Sequence, residues 1–118
     1  ESASPLEAVA AGLERVSSAM GPMNRELGSR MKAAIAANAE LQERAALKSV
    51  GLAAAMTAAL LDRGVPDLTA HLAAELGVLA FKRGYAEWSE VHHEGDDELA
   101  QYTSAALVEL RAASTWLG

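Results

Sequence analysis

The sequence lacks cysteine altogether and contains few aromatic residues. The absence of cysteine excludes a disulfide framework and a thiolate metal site. Aromatic residues make up 4% of the chain although 51% of it is hydrophobic, because alanine supplies much of the apolar content. Alanine favours helices and disfavours strands, and no stretch rich in Val, Ile and Thr alternates with a period of two. We therefore predict an all-α fold.

Positive charge and long apolar runs are also scarce. Lys and Arg number 10 against 16 Asp and Glu, so the net charge is −6. Because an acidic surface repels phosphate backbones, we do not expect this chain to bind DNA or RNA by itself. The sequence has no uninterrupted apolar run of membrane-spanning length and no signal peptide, so we expect a cytoplasmic protein without a membrane span. The chain begins with Glu1 rather than Met, which leads us to expect a further domain upstream.

Helix start and stop signals predict five helices in one domain that covers residues 1–118. Ser4 and Glu7 form a capping box around Pro5 at the start of the first helix. A basic residue, a glycine and a proline over residues 63–66 form a clear stop after the third helix. The predicted helices cover residues 5–20, 23–37, 39–63, 67–92 and about 97–117.

The fourth predicted helix is apolar on more than one face. One stripe contains Leu68, Leu72, Leu76 and Leu79. A second stripe contains Val78, Phe81, Tyr85 and Trp88. A single neighbouring helix cannot cover so much apolar surface, so part of it must meet a second subunit, a ligand, or both. This pattern indicates a sensing or assembly module rather than a catalyst.

Residues that could carry catalysis or bind metal are few. His92 and His93 precede three acidic residues, but adjacent histidines on a helix point about 100° apart and do not share a metal. We interpret them as a solvated helix end. His71 is expected to form a surface pair with Glu75, one turn later, or else to line a pocket. The sequence therefore predicts no catalytic residue, no metal site and no cofactor.

The methionines suggest an adaptable cavity. They fall on three predicted helices, and methionine fills irregular spaces, so either simple gap filling or a lined pocket would explain them. In the second case the pocket lies between the first three helices and the fourth, with an aromatic wall from the fourth helix. The candidate ligand-binding residues are Met20, Met31, Met56, Phe81, Tyr85 and Trp88.

Four segments carry a resemblance to a known family: PLEAVAAGLERV, NAELQERAALKSVGLAAAMTAALLDRGVPD, LAAELGVLAFKRGYAEW and LVELRAASTWLG. Together their helix order resembles the C-terminal ligand-binding and dimerisation domain of TetR-family transcriptional regulators. The resemblance implies a five-helix bundle of orthogonal type whose first four helices enclose an effector pocket. It also implies that the last two helices form a four-helix interface with a second subunit. The interface residues it implies are Leu76, Leu79, Arg83, Leu99, Leu107, Leu110 and Trp116.

The resemblance also implies a function. The chain would form a homodimer and bind a small, largely apolar effector, of which an acyl-CoA-like molecule is one candidate. Effector binding would control DNA binding by an N-terminal helix-turn-helix domain, which this sequence does not contain, and the usual outcome is derepression. Two other interpretations remain open at this point. One is a structural helical dimer without a pocket, and the other is a helical enzyme or metal-binding bundle, whose nearest Glu-x-x-His match lies at a helix end, over residues 90–94.

Overall fold

The computed structural model describes residues 3–19, 25–90 and 98–118, except for the side chains of residues 25–28. These ranges contain α-helices and a short 3-10 turn, and no strand. The helices are α1 (Pro5–Ala19), α2 (Arg25–Ala36), α3 (Ala39–Asp62), α4 (Asp67–Glu90) and α5 (Leu99–Ser114), and the turn is Thr115–Leu117. The predicted all-α fold is therefore confirmed.

The helix ends follow local signals in the sequence. The Ser4 hydroxyl accepts a hydrogen bond from the Glu7 backbone N–H at 3.1 Å, and the Glu7 carboxylate accepts one from the Ser4 N–H at 2.7 Å. These two bonds are the predicted capping box. At the start of α3, the Asn38 side chain accepts hydrogen bonds from two backbone N–H groups of the first turn. Gly64 adopts a φ of 87° just after α3, in the left-handed region that favours glycine at a helix end.

Helix α4 is the hub of the bundle, because it contacts α1, α2, α3 and α5. Most of its buried residues are small: Ala70, Ala73, Ala74, Gly77, Ala80, Gly84 and Ser89. Small side chains let neighbouring helices approach closely. A Cβ atom built on Gly77 would lie 2.6 Å from Cγ1 of Val9 in α1, and one on Gly84 would lie 2.7 Å from the backbone of Thr103 in α5. Helices α1 and α5 therefore each pack directly against a glycine of α4.

A buried polar contact joins α1 to α5 within this apolar interior. The hydroxyl oxygens of Ser17 and Thr103 lie 3.1 Å apart, and both residues are buried. The Thr103 hydroxyl donates to the Ala100 carbonyl at 3.1 Å, so the Ser17 hydroxyl is the donor between the two. Both hydroxyls are thus satisfied without water, as buried polar groups must be.

The chain exposes more surface than a monomer of its mass ordinarily does. Its accessible area is 7789 Å². A folded monomer of 12.3 kDa is expected to expose about 6,100 Å². The excess is roughly a quarter of that expected area, and it includes large apolar side chains. This surface is of the kind that other subunits or domains cover.

Helix α3 contributes strongly to the exposed apolar surface. An 18-residue window in it has a mean hydropathy of 1.4, and 17% of the window is buried. By length and composition alone α3 could cross a membrane, and no other helix of the described ranges passes the same test. The sequence-based expectation relied on uninterrupted apolar runs, and Lys48 and Ser49 interrupt this one. A single such helix is weak evidence for a membrane, because helices of soluble proteins also pass on length and composition.

Candidate functional site

Three of the large apolar side chains of α4 lie on the side away from its buried face, whereas Val78 and Trp88 are buried. Leu68 is 81% exposed, Leu72 63% and Leu79 45%. At 3.6 residues per turn, these three project about 180° away from the buried alanines and glycines of the same helix. We call these three residues the outer leucine face. A helix normally turns its larger apolar side chains inward, so the outer leucine face is an unusual apolar surface and a candidate interaction site.

Helix α5 lies beside the outer leucine face and extends the exposed surface. The Arg83 guanidinium lies 3.8 Å from the Glu109 carboxylate, so an exposed ion pair bridges the two helices. Beyond the end of α5, Trp116 is 89% exposed. Tryptophan is enriched at the centres of protein interfaces, where its large area is desolvated. The α4–α5 side of the bundle therefore combines apolar residues with a polar edge, as interfaces do.

The seven residues that the resemblance places at a subunit interface differ in how exposed they are. Leu79, Arg83 and Trp116 are exposed beside or within the α4–α5 surface. Leu76 and Leu110 are partly buried and pack against the core. Leu99 and Leu107 are 5% and 6% exposed and lie inside the chain's own bundle, so they are not available to a second subunit. They are buried because they share the inner face of α5 with Thr103, which rests on α4.

A groove of about 280 Å³ runs between α1 and α3. Small residues on both helices open it, including Ala8, Gly12, Ala55 and Ala59, while Val16, Leu52 and Met56 form its apolar lining. Arg15 and Arg63 lie at its edges. Helices α3 and α4 are antiparallel because the tight turn at Gly64 joins them. Helix α1 runs parallel to α4, so α1 and α3 are also antiparallel. The two arginines are therefore at opposite ends of the groove, which can hold an elongated apolar molecule with an anionic end.

The six candidate ligand-binding residues do not come together in one cavity. Met56 lines the α1/α3 groove, whereas Phe81, Tyr85 and Trp88 do not line it. The aromatic residues instead stack along α4, with ring centroids 6.2 Å apart for Phe81 and Tyr85 and 5.7 Å apart for Tyr85 and Trp88. Met31 is 43% exposed on α2, and Met20 lies outside the described residues. Met56 packs over Gly77, one turn or more before the rings, so the two groups are displaced along α4.

Partial burial changes the acidity of one member of the aromatic stack. Desolvation raises the pKa of Tyr85 above its ordinary value of 10.0. The phenol is therefore neutral at physiological pH and can donate a hydrogen bond, but it cannot serve as a base there.

A second groove, of about 620 Å³, lies between α3 and α4, and of its lining the sequence analysis foresaw only that His71 could line a pocket. Its α3 side consists mainly of alanines, with Val50 and Leu61 exposed at its edges. His71 and Glu75 line its α4 side. His71 does not take Glu75 as its nearest partner, because its Nδ1 atom lies 3.0 Å from the Asp67 carbonyl oxygen, one turn earlier. The sequence signal for this groove was the run of small residues on one side of α3.

No group of three or more metal-ligating side chains (His, Cys, Asp or Glu) comes together within residues 3–19, 25–90 and 98–118. His92 and His93 lie outside these ranges. The described part of the chain therefore offers two apolar grooves and an exposed leucine face as its candidate sites. A search of protein-family models finds none that matches this chain, and a search of curated proteins also finds no match.

Proposed function

We propose that this chain is the dimerisation and effector-binding domain of a cytoplasmic transcriptional regulator, similar to the C-terminal domain of TetR-family proteins. Two copies associate through the α4–α5 surface and bind a small, largely apolar effector. A DNA-binding domain outside this chain contacts the operator, and the effector releases it from DNA. The observation that carries the proposal is the outer leucine face, which turns three large apolar side chains away from the core.

The size of the exposed surface supports the dimer. A stable interface commonly buries about 1,600 Å² in total, half of it on each partner. The chain exposes 7789 Å², an excess over the monomer expectation that can supply its half of such an interface. In a dimer with a two-fold axis, the same surface of each copy contacts the other copy. The outer leucine face of one subunit would therefore pack against the outer leucine face of its partner.

The α1/α3 groove supports the effector half of the proposal. Its lining is apolar, it contains Met56 from the predicted set, and it carries an arginine at each end. These features suit a fatty-acyl group whose acidic end contacts a guanidinium. The buried Ser17–Thr103 hydrogen bond connects α1, which lines the groove, to α5, which lies at the proposed interface. An effector that favours one position of α1 would thereby favour one dimer geometry, provided that it binds the two geometries with different affinity.

The test is the oligomeric state of two matched variants. Leu79→Asp places a charge on the outer leucine face, and Leu47→Asp places the same charge on α3, where Leu47 is 69% exposed. Neither leucine belongs to the core, so both variants should fold. Sedimentation equilibrium should show a dimer for the wild type and for Leu47→Asp, and a dissociation constant raised at least tenfold for Leu79→Asp.

Three results would count against this proposal. A monomeric wild type would remove the assembly role altogether. Dissociation by Leu47→Asp instead of Leu79→Asp would move the interface to α3. A dimer that carries no small molecule in native mass spectrometry, and that binds no acyl-CoA, would favour the structural dimer without a pocket.

A further inference from the structure

A third cavity of the described residues lies apart from the two grooves. It is a cleft of about 310 Å³ between the beginnings of α1 and α4 and the end of α5. Leu6, Leu72 and Leu76 form an apolar wall, and Thr69, Ser114 and Arg111 supply polar groups. In a chain of net charge −6, this cleft has one cationic lining residue and no acidic one.

The cationic group of the cleft is open to a ligand. No ion pair joins the Arg111 guanidinium to another residue within the described ranges, and the side chain is exposed. The acidic residues closest in sequence to the cleft residues include Glu7, Asp67 and Glu109, and none of them lines the cleft. Glu7 accepts the Ser4 backbone N–H at 2.7 Å, and the Asp67 carboxylate lies 3.7 Å from His71. A planar guanidinium of this kind binds a carboxylate through two parallel hydrogen bonds.

The other polar groups of the cleft favour the same ligand chemistry. Thr69 belongs to the first turn of α4, where backbone N–H groups have no partner within the helix and the helix dipole is positive. Its hydroxyl can donate beside them. The Ser114 hydroxyl donates to the Arg111 carbonyl at 2.6 Å, so it is already engaged and only the guanidinium of that pair is left for a ligand. Residues with hydrogen-bond donors thus line the cleft from two helices, α4 and α5.

We propose that this cleft binds a small carboxylate with a short aliphatic tail, with the carboxylate on Arg111 and Thr69 and the tail against Leu6, Leu72 and Leu76. The size of the cleft sets the length of the tail. At about 30 Å³ for each water-sized group in a liquid, 310 Å³ holds about ten non-hydrogen atoms. Octanoate has this size and this chemistry. The site is separate from the α1/α3 groove, but its wall shares Leu72 with the outer leucine face, so octanoate and a second subunit would compete for that residue.

The test is isothermal titration of the purified chain with sodium octanoate, under one salt condition. We expect saturable binding of one octanoate to each chain, and at least tenfold weaker binding of the uncharged analogue 1-octanol. Arg111→Gln should weaken octanoate binding at least tenfold, because it removes a charge-assisted pair. Thr69→Val, which keeps the shape of the side chain, should weaken binding about fivefold.

Arg15→Gln is the matched control, because Arg15 is also exposed but lines the α1/α3 groove. It should leave octanoate affinity unchanged. Octanoate affinity that falls in Arg15→Gln but not in Arg111→Gln would overturn the cleft proposal while supporting the proposed effector groove. Equal binding by all variants, or no saturable binding by the wild type, would also overturn it. The oligomeric state is measured separately, so none of these results would count against the proposed dimer.

Discussion

Gly84→Ala should destabilise the fold because α5 rests on the backbone of α4 at this position. The added methyl carbon would lie 2.7 Å from both Cα and N of Thr103 and 2.8 Å from its Cγ2. Carbon atoms in contact normally stay at least about 3.5 Å apart. Two of the three obstructing atoms are backbone, so no side-chain rotation relieves the overlap, and α5 must move away from α4.

The magnitude is the difference between two opposing effects. Overpacking of this kind costs about 3 kcal/mol at the upper end of its usual range. Alanine gains about 1 kcal/mol over glycine in a helix interior, which offsets part of that cost. We therefore expect the free energy of unfolding to fall by about 2 kcal/mol. Urea unfolding followed by circular dichroism, at one fixed protein concentration, measures this change.

Gly51→Ala is the matched control, because Gly51 lies within α3 and an added Cβ would meet nothing within 4 Å. It should gain about 0.5–1 kcal/mol from helix propensity alone. The contrast in sign between two glycine-to-alanine changes, both inside helices, isolates the packing effect. If Gly84→Ala proved as stable as the wild type, α5 would not rest on Gly84 as described, and the close α4–α5 packing would be refuted.

Two further predictions concern the grooves and the aromatic stack. Gly12→Leu should fill the α1/α3 groove and abolish binding of octanoyl-CoA in a calorimetric titration, whereas Gly51→Leu should not; equal binding by both variants would separate the effector from this groove. Tyr85 should titrate above pH 10 in an ultraviolet difference spectrum, because burial raises its pKa. Since its folded-state pKa exceeds the unfolded value, its contribution to stability should be complete below pH 10 and lost as the pH rises through the folded pKa. A Tyr85→Phe variant whose stability falls equally over that pH range would contradict this assignment.

The helices and their ends were predictable because their signals are local. Ser4 and Glu7 lie three residues apart and form the capping box within one turn, whatever the remainder of the chain does. Gly64 ends α3 for an equally local reason, since its φ of 87° suits glycine. The spacing of leucines along the fourth helix also placed them correctly on one stripe.

The direction in which that stripe faces was not predictable, because α4 has no continuous polar face to mark its outer side. Side-chain size decided the outcome: Gly77 and Gly84 admit α1 and α5, and the leucines are left outside. The close packing of α5 on Gly84 also buries Leu99 and Leu107, and the sequence pattern of α5 did not distinguish these two residues from surface residues. The α1/α3 groove and the Arg111 cleft could not be located from the sequence because each forms between helices that are not consecutive in the chain. The α3/α4 groove could not be located because its width depends on how closely two consecutive helices pack.

The Ser17–Thr103 hydrogen bond has a consequence for the register of α1. Apolar contact is non-directional, so by itself it discriminates poorly between positions of α1 that differ by one helical turn, about 5.4 Å. A slide of that length would break the hydrogen bond and leave the Ser17 hydroxyl unsatisfied, at a cost of about 1–3 kcal/mol. The buried hydroxyl pair therefore gives α1 one preferred position, so that any movement along α4 proceeds in a discrete step instead of a continuous slide.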